Sequence, residues 1–75
     1  MKLVPLSSKK LIKFLEKEGF KLMRQKGSHC IFCHEDGRRT VVPIHSNKKI
    51  GKGLLNSILS EIGIEKDEFI KKIKK

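Results

Sequence analysis

Three short runs with the composition of β-strands occupy residues 20–43 of this chain. Their sequences are FKLMRQ, SHCIFCHE and RRTVVP, and the breaks between them contain Lys26-Gly27 and Asp36-Gly37. Asp-Gly in particular predicts a type I′ hairpin turn, because both residues tolerate the positive φ that this turn requires. The spacing therefore predicts a three-stranded antiparallel meander.

Helical spacing precedes and follows the meander. After Ser7 or Ser8, either of which can cap a helix, apolar residues recur at helical spacing up to Gly19, where a left-handed residue can end the helix. A second helix is predicted from near Gly53 to Gly63, and residues 64–75 predict a short, lysine-rich third helix. We therefore expect one α+β domain over residues 1–75, of order α-β-β-β-α with an extra helix. The helices should cover one sheet face and leave the other open.

Size and charge restrict the partners. A chain of 75 residues buries only ~60% of its unfolded surface, so an open surface that binds a polymer is favoured over an enclosed pocket. The 18 Lys and Arg residues against 8 Asp and Glu residues leave a net charge of +10, which favours a polyphosphate such as RNA. An anionic membrane or an acidic protein would attract the same charge. With no Trp, no Tyr and 4 Phe, a base-stacking platform is disfavoured.

The sequence predicts a cytoplasmic protein without a membrane partner. No apolar run approaches the ~20 residues that span a bilayer, and the N-terminal MKLVPLSSKK lacks the hydrophobic core of a signal peptide. In that compartment Cys30 and Cys33 should stay reduced.

The segment CIFCH matches Cys-x-x-Cys-His, a pattern of haem attachment and of half a zinc site. Within a strand, Cys30 and Cys33 project to opposite faces and cannot grip one metal together. The sequence contains no second cysteine pair. We therefore predict neither a metal site nor a cofactor.

The segment Gly27-Ser28-His29 lies where the first hairpin enters the middle strand. Glycine permits a tight turn, serine can donate to a phosphate oxygen, and histidine can exchange protons near neutral pH. RNA carries its own nucleophile, the 2′-hydroxyl, so these parts suit metal-free RNA cleavage. Alone the signal is weak, because a histidine near a turn is more often an ordinary surface residue. If Cys30 faces the helices, however, His29 and Ile31 face the open side.

Two groups of cations are candidates for binding phosphate. Arg24 and Lys26 precede the first turn, while Lys48, Lys49 and Lys52 precede the second helix, whose N-terminus already favours phosphate. We expect these five residues to bind an RNA backbone, although a solvated charge run explains the lysines equally well.

The other two histidines are weaker candidates. His45 follows the third strand and is a second proton carrier if the chain brings it near His29. His34, near the Asp36 turn, is expected to be structural or simply solvated.

Several of these segments, read together, resemble the HicA toxin family. They are LEKEGF at the end of the first helix, RQKGSH, VVPIH, GKGLL with the later Ile-Leu, and the closing Gly-Ile before Glu-Phe. The likeness covers nearly the whole chain, and it departs from common members in the cysteines and the lysine-rich end. The combination is far more specific than any one segment.

The resemblance implies a small ribonuclease that cleaves messenger RNA, a fold like that of double-stranded-RNA-binding domains, and silencing by a HicB-type antitoxin. The family's catalytic histidine falls on His29, and Gly27 and Ser28 match its neighbours. An inhibitor can block an exposed His29 by covering it. We therefore expect the antitoxin to contact His29 and Ile31, and we expect its contacting surface to be acidic.

Two other classes stay open. A non-catalytic module like a double-stranded-RNA-binding domain explains the fold and charge equally well. A structural protein of DNA or ribosomes fits the charge of +10 but gives no reason for Gly27-Ser28-His29.

Overall fold

A computed structural model of the protein describes residues 3–44 and 48–73. In chain order, the elements are β1 Leu6–Ser7, α1 Ser8–Lys17, β2 Lys21–Lys26, β3 His29–Cys33, β4 Arg39–Pro43, β5 Lys49–Ile50, α2 Lys52–Ile62 and α3 Lys66–Ile73. The α+β class and the α-β-β-β-α order with an extra helix are confirmed. The small paired strands β1 and β5 were not predicted.

Helix α1 begins and ends as its sequence predicts. The Ser7 hydroxyl accepts a hydrogen bond from the Lys10 backbone N–H at 3.2 Å, which caps the first turn. At the other end Gly19 has a φ of +96°, and the Phe20 N–H donates to the Leu15 carbonyl at 2.9 Å. This pattern satisfies carbonyls that the helix would otherwise leave free.

Helix α2 closes in the same way, and α3 packs behind it. Gly63 has a φ of +71°, and the Ile64 N–H donates to the Leu59 carbonyl at 3.1 Å. In α3, Phe69 and Ile70 are buried, and the Phe69 ring meets the Phe14 ring of α1 edge-on at 4.7 Å between centroids.

Strands β2, β3 and β4 form one antiparallel sheet in that order, with β3 in the middle. Residues alternate between buried and exposed along β3 and β4. Cys30, Phe32, Thr40 and Val42 are each at most 2% exposed, because α1 and α2 cover their side of the sheet. The opposite side has no covering element among the described residues, so the predicted open face is confirmed.

The first hairpin has the tight two-residue turn that the sequence predicts, and the second differs from its predicted turn. In the first, Gly27 has a φ of +56° and Ser28 a negative φ, which is the type II′ combination. In the second, only Gly37 has a positive φ, of +97°, so the type I′ turn predicted at Asp36-Gly37 is wrong. The His34 N–H donates to the Arg38 carbonyl at 2.8 Å. That bond closes a longer loop, in which Asp36 does not need a left-handed conformation.

A second sheet joins the start of the chain to the segment before α2. Strands β1 and β5 pair antiparallel, with Leu6 opposite Ile50 and Ser7 opposite Lys49. Leu6 and Ile50 are buried and extend the hydrophobic core. A strand of two residues has no periodicity to read, which is why the sequence did not predict it.

No helix within the described ranges is both long enough and apolar enough to cross a membrane.

Candidate active site

The strand register divides the three-stranded sheet into rows. Directly opposite residues of antiparallel strands project to the same face. On the side away from the helices the rows are Lys21–Cys33–Arg39, Arg24–Ile31–Val41 and Lys26–His29–Pro43. We call these nine residues the open face. On the covered side the rows are Leu22–Phe32–Thr40 and Gln25–Cys30–Val42.

A bulge in β2 determines which cations belong to the open face. The register shifts between Leu22 and Arg24, which leaves Met23 as the extra residue. Without it, Lys21 and Arg24 would face opposite sides, because their spacing is odd. With it, three cations lie along β2, successive ones about 7 Å apart.

The open face carries positive charge and no carboxylate. Lys21, Arg24, Lys26 and Arg39 account for four of its nine residues, and none of the other five is acidic. Two of these cations, Lys21 and Arg39, were not among the predicted site residues. Arg39 could have been predicted on the open face, because it is two residues from Val41 in the same strand. No sequence pattern predicts the bulge that turns Lys21 toward that face.

His29 is the first residue of β3 and is exposed, as the strand alternation predicts. In its row it lies between Lys26 and Pro43, so the nearest side chain on β2 is a cation. Opposite Cβ atoms in such pairs are about 5 Å apart. An accessible imidazole beside a fixed positive charge can exchange a proton with a bound anion and can stabilise charge on it.

Hydrogen bonds from both sides hold the turn that presents His29. The Gln25 side-chain amide donates to the Gly27 carbonyl at 3.0 Å, and the Ile44 N–H donates to the Ser28 carbonyl at 2.6 Å. A Cβ at Gly27 would meet no atom within 4 Å. Gly27 is therefore required by its positive φ and not by lack of space.

The predicted phosphate-binding residues fall into two groups. Arg24 and Lys26 share the open face with His29. Lys49 lies in β5, and Lys52 is the first residue of α2, whose N-cap Gly51 provides no side-chain hydrogen bond. Lys48 borders a hollow that Ile44 also lines.

Ile44 of this hollow also contacts the turn that presents His29, because its N–H donates to the Ser28 carbonyl. Lys9 and Lys13 of α1 also border it. Neither lysine was predicted as a site residue, since their helical spacing is that of an ordinary solvated face.

The other two histidines were the weaker candidates in the sequence. His45, the predicted second proton carrier, lies outside the described residues. His34 packs its ring against Phe20 at 5.1 Å, and a Cβ at Gly19 would come within 2.8 Å of the His34 Nε2. His34 is therefore a packing residue, which is the structural one of the two roles expected for it.

Arg38 ties the second hairpin to the helices. Its guanidinium lies 5.2 Å from the Phe20 ring centroid, bonds Asp36 at 2.8 Å and donates to the Ile62 carbonyl at the end of α2. The Arg38 backbone N–H, followed by its side chain, lowers the pKa of Asp36 below its ordinary value. Arg38 therefore has a structural role, and the adjacent Arg39 lies on the open face.

The cysteines lie on opposite faces, as predicted. Cys30 is buried and Cys33 is half-buried, and neither forms a disulfide. In the described part of the chain, no three His, Cys, Asp or Glu side chains gather in a group that could hold a metal ion.

Comparison with known protein families gives a match over most of the chain. Residues 8–64 match the family model described as the HicA toxin of bacterial toxin–antitoxin. The matched span runs from the start of α1 to the end of α2 and includes the whole open face, while α3 lies beyond it. No curated protein matches the chain.

Proposed function

The chain belongs to the HicA family of toxins from bacterial toxin–antitoxin systems, and from that premise we propose that it is a ribonuclease that cleaves messenger RNA. Its catalytic residue is His29. The observation that carries the proposal is the exposed imidazole of His29 on a face with four cations and no carboxylate.

The reaction uses the nucleophile that RNA already contains. Neutral His29 accepts the proton of a ribose 2′-hydroxyl, and the resulting oxygen attacks the adjacent phosphorus. The 2′-oxygen–phosphorus bond forms, the bond to the 5′-oxygen breaks, and the leaving oxygen takes a proton. The imidazolium, His45 or water can supply that proton. The product carries a 2′,3′-cyclic phosphate, and general base catalysis of this kind contributes about 10²–10⁴-fold.

The cations supply electrostatic stabilisation. Lys26 lies in the same row as His29 and is the nearest cation for the crowded phosphate, while Arg24 in the next row binds the adjoining backbone. Ser28 orients the phosphate, and Gly27 gives the turn its shape. Lys48, Lys49 and Lys52 bind the RNA backbone beyond the hollow that Ile44 lines.

A HicB-type antitoxin neutralises the toxin by covering His29. Ile31 is half-buried and lies beside Val41 in the central row of the open face, so it offers an apolar anchor among cations. The antitoxin surface that binds there is therefore acidic around an apolar centre.

Purified wild type and His29→Ala, incubated with RNA in excess chelator, test the proposal. We expect wild type to cleave and to leave 2′,3′-cyclic phosphate ends, and the variant to cleave about 10²–10⁴-fold more slowly. His34→Gln, just beyond the far end of the same strand, is the matched histidine control and should cleave normally once circular dichroism confirms its fold.

Three outcomes would contradict the proposal. Equal cleavage by wild type and His29→Ala would remove the role of His29. Cleavage only with added metal would exclude the metal-free mechanism proposed for His29. Intact RNA retained on the wild-type protein would identify a non-catalytic RNA-binding module.

A further inference from the structure

The outer edge of β2 is unpaired among the described residues. β2 is the end strand of the sheet, and all six of its residues, Lys21–Lys26, are exposed. An edge strand presents a row of free backbone N–H and C=O groups, on which another extended segment can add as a further strand.

The side chains along this edge select what can bind there. Three of the six residues, Lys21, Arg24 and Lys26, are cationic, and none is acidic. Leu22 and Met23 are 50% and 65% exposed, so the edge also offers apolar contact area. A segment that combines carboxylates with apolar residues complements both features.

The other edge of the sheet is less suitable. Strand β4 ends at Pro43, which has no N–H to donate, and two of its five residues, Thr40 and Val42, are buried. It carries a single cation, Arg39. A docking segment therefore gains more charge pairing and more accessible backbone at β2.

A second copy of this chain does not fit the same edge. Antiparallel pairing of two β2 strands about their common centre sets Lys21 of each copy opposite Lys26 of the other, and like charges directly opposite are destabilising. Cations and a bulge are also the features by which natural proteins keep edge strands from pairing with themselves. The occupant must be a different chain of opposite charge.

We propose that the β2 edge is the docking site for an extended acidic segment of the antitoxin, which pairs as a fourth strand. On one side of the added strand, carboxylates extend the rows that begin with Lys21, Arg24 and Lys26. On its other side, apolar residues contact Leu22, which projects toward the covered face. The fitting sequence therefore alternates acidic and apolar residues.

This docking mode makes inhibition competitive with RNA. The carboxylates of the added strand neutralise the cations that lie beside His29 and Ile31 in their rows, and these are the cations assigned to the RNA backbone. The inference rests on the proposed function for the identity of the partner. The geometry of the edge is independent of it.

The test uses the full chain and a synthetic probe, a seven-residue peptide of alternating valine and glutamate with blocked ends. A second peptide with lysine in place of glutamate is the control. We expect the acidic peptide to shift the nuclear magnetic resonance signals of β2 and to slow the exchange of β2 amides that exchange quickly in the free protein. The lysine peptide should do neither.

Matched variants locate the contact. Leu22→Glu places a negative charge on the apolar side of the added strand, while Leu54→Glu makes the same change at a residue of similar exposure, 44%, on α2. We expect the first to weaken acidic-peptide binding at least tenfold and the second to change it less than twofold. Equal binding of the two peptides, or protection confined to the lysines of α1 and α3, would overturn the proposal.

An RNA cleavage assay run in parallel separates the two proposals. If the protein cleaves RNA but the acidic peptide changes neither the signals nor the exchange of the β2 amides, the docking site is overturned and the ribonuclease proposal stands. Protected β2 amides on a protein that leaves RNA intact would overturn the ribonuclease and support the docking site.

Discussion

The two faces of the β2–β3–β4 sheet are built from the same three strands but have opposite chemistry. On the covered face Phe32, Thr40 and Val42 are at most 1% exposed and pack beneath the helices. On the open face four of the nine residues are cations, and His29 is exposed. The alternation of side chains along each strand thus separates a packed face from a charged one. Substitutions on the two faces should accordingly produce different kinds of loss.

The largest effect is expected on the covered face. Phe32→Ala should lower the free energy of unfolding by about 3–5 kcal/mol, because it removes a fully buried aromatic ring and leaves a cavity. Ile31→Ala, one residue away on the open face, should cost less, since Ile31 is only half-buried. Denaturant unfolding of both variants measures the difference. Equal losses would mean that the open face is as important to stability as the core.

The next effect concerns inhibition. Ile31→Lys should weaken antitoxin binding by about tenfold or more, or at least 1.4 kcal/mol, because a charged group replaces the apolar anchor and must be desolvated. RNA cleavage should change by less than about threefold. Titration of cleavage with the antitoxin gives both quantities. A larger loss of cleavage than of inhibition would place Ile31 in the substrate site.

A smaller effect is expected for single cations of the open face. Arg24→Gln should reduce the slope of log binding constant against log salt by about 0.7–0.9, because one phosphate contact and its counterion release are lost. Lys66→Gln, an exposed lysine at the start of α3, removes the same charge elsewhere and should leave the slope unchanged. Binding of a non-cleaved RNA analogue across a salt series tests this. Equal changes would indicate attraction by net charge alone.

The smallest effect involves a charge pair outside both faces. Hydrogen bonds from Arg38 lower the pKa of Asp36, so its carboxylate stabilises the fold above the unfolded pKa of about 3.9. That contribution is lost as pH falls through the lower folded pKa. Asp36→Asn should therefore be slightly less stable than wild type at pH 7 and equal to it in strong acid. The free energies of unfolding of wild type and Asp36→Asn, measured from pH 7 into strong acid, test this. A difference between the two proteins that grows on acidification would contradict the prediction.

Much of the fold follows from short-range patterns in the sequence. The glycines at residues 19 and 63 mark the ends of two helices because few other residues accept the left-handed conformation found there. The alternation around Cys30 and Phe32 places His29 on the open face, because successive side chains of a strand point to opposite sides. These features depend only on neighbours a few residues apart.

Features that depend on pairing partners were missed or wrong. The second hairpin is longer than its Asp-Gly pair predicts, because a backbone bond from His34 to Arg38 closes the loop. Arg38 packs on Phe20 and donates a hydrogen bond at the end of α2. No local sequence pattern predicts these contacts. The adjacent Arg39 is the one that joins the open face.

The sequence by itself determined the three helices, the three-stranded meander, the side of the sheet on which His29 lies and the family to which the chain belongs. Only the tertiary structure decided which cations accompany His29. The bulge at Met23 turns Lys21 toward the open face, while Lys49 and Lys52 lie in β5 and α2. The physical reason is that alternation within a strand is local, whereas register is set by the strand that pairs with it.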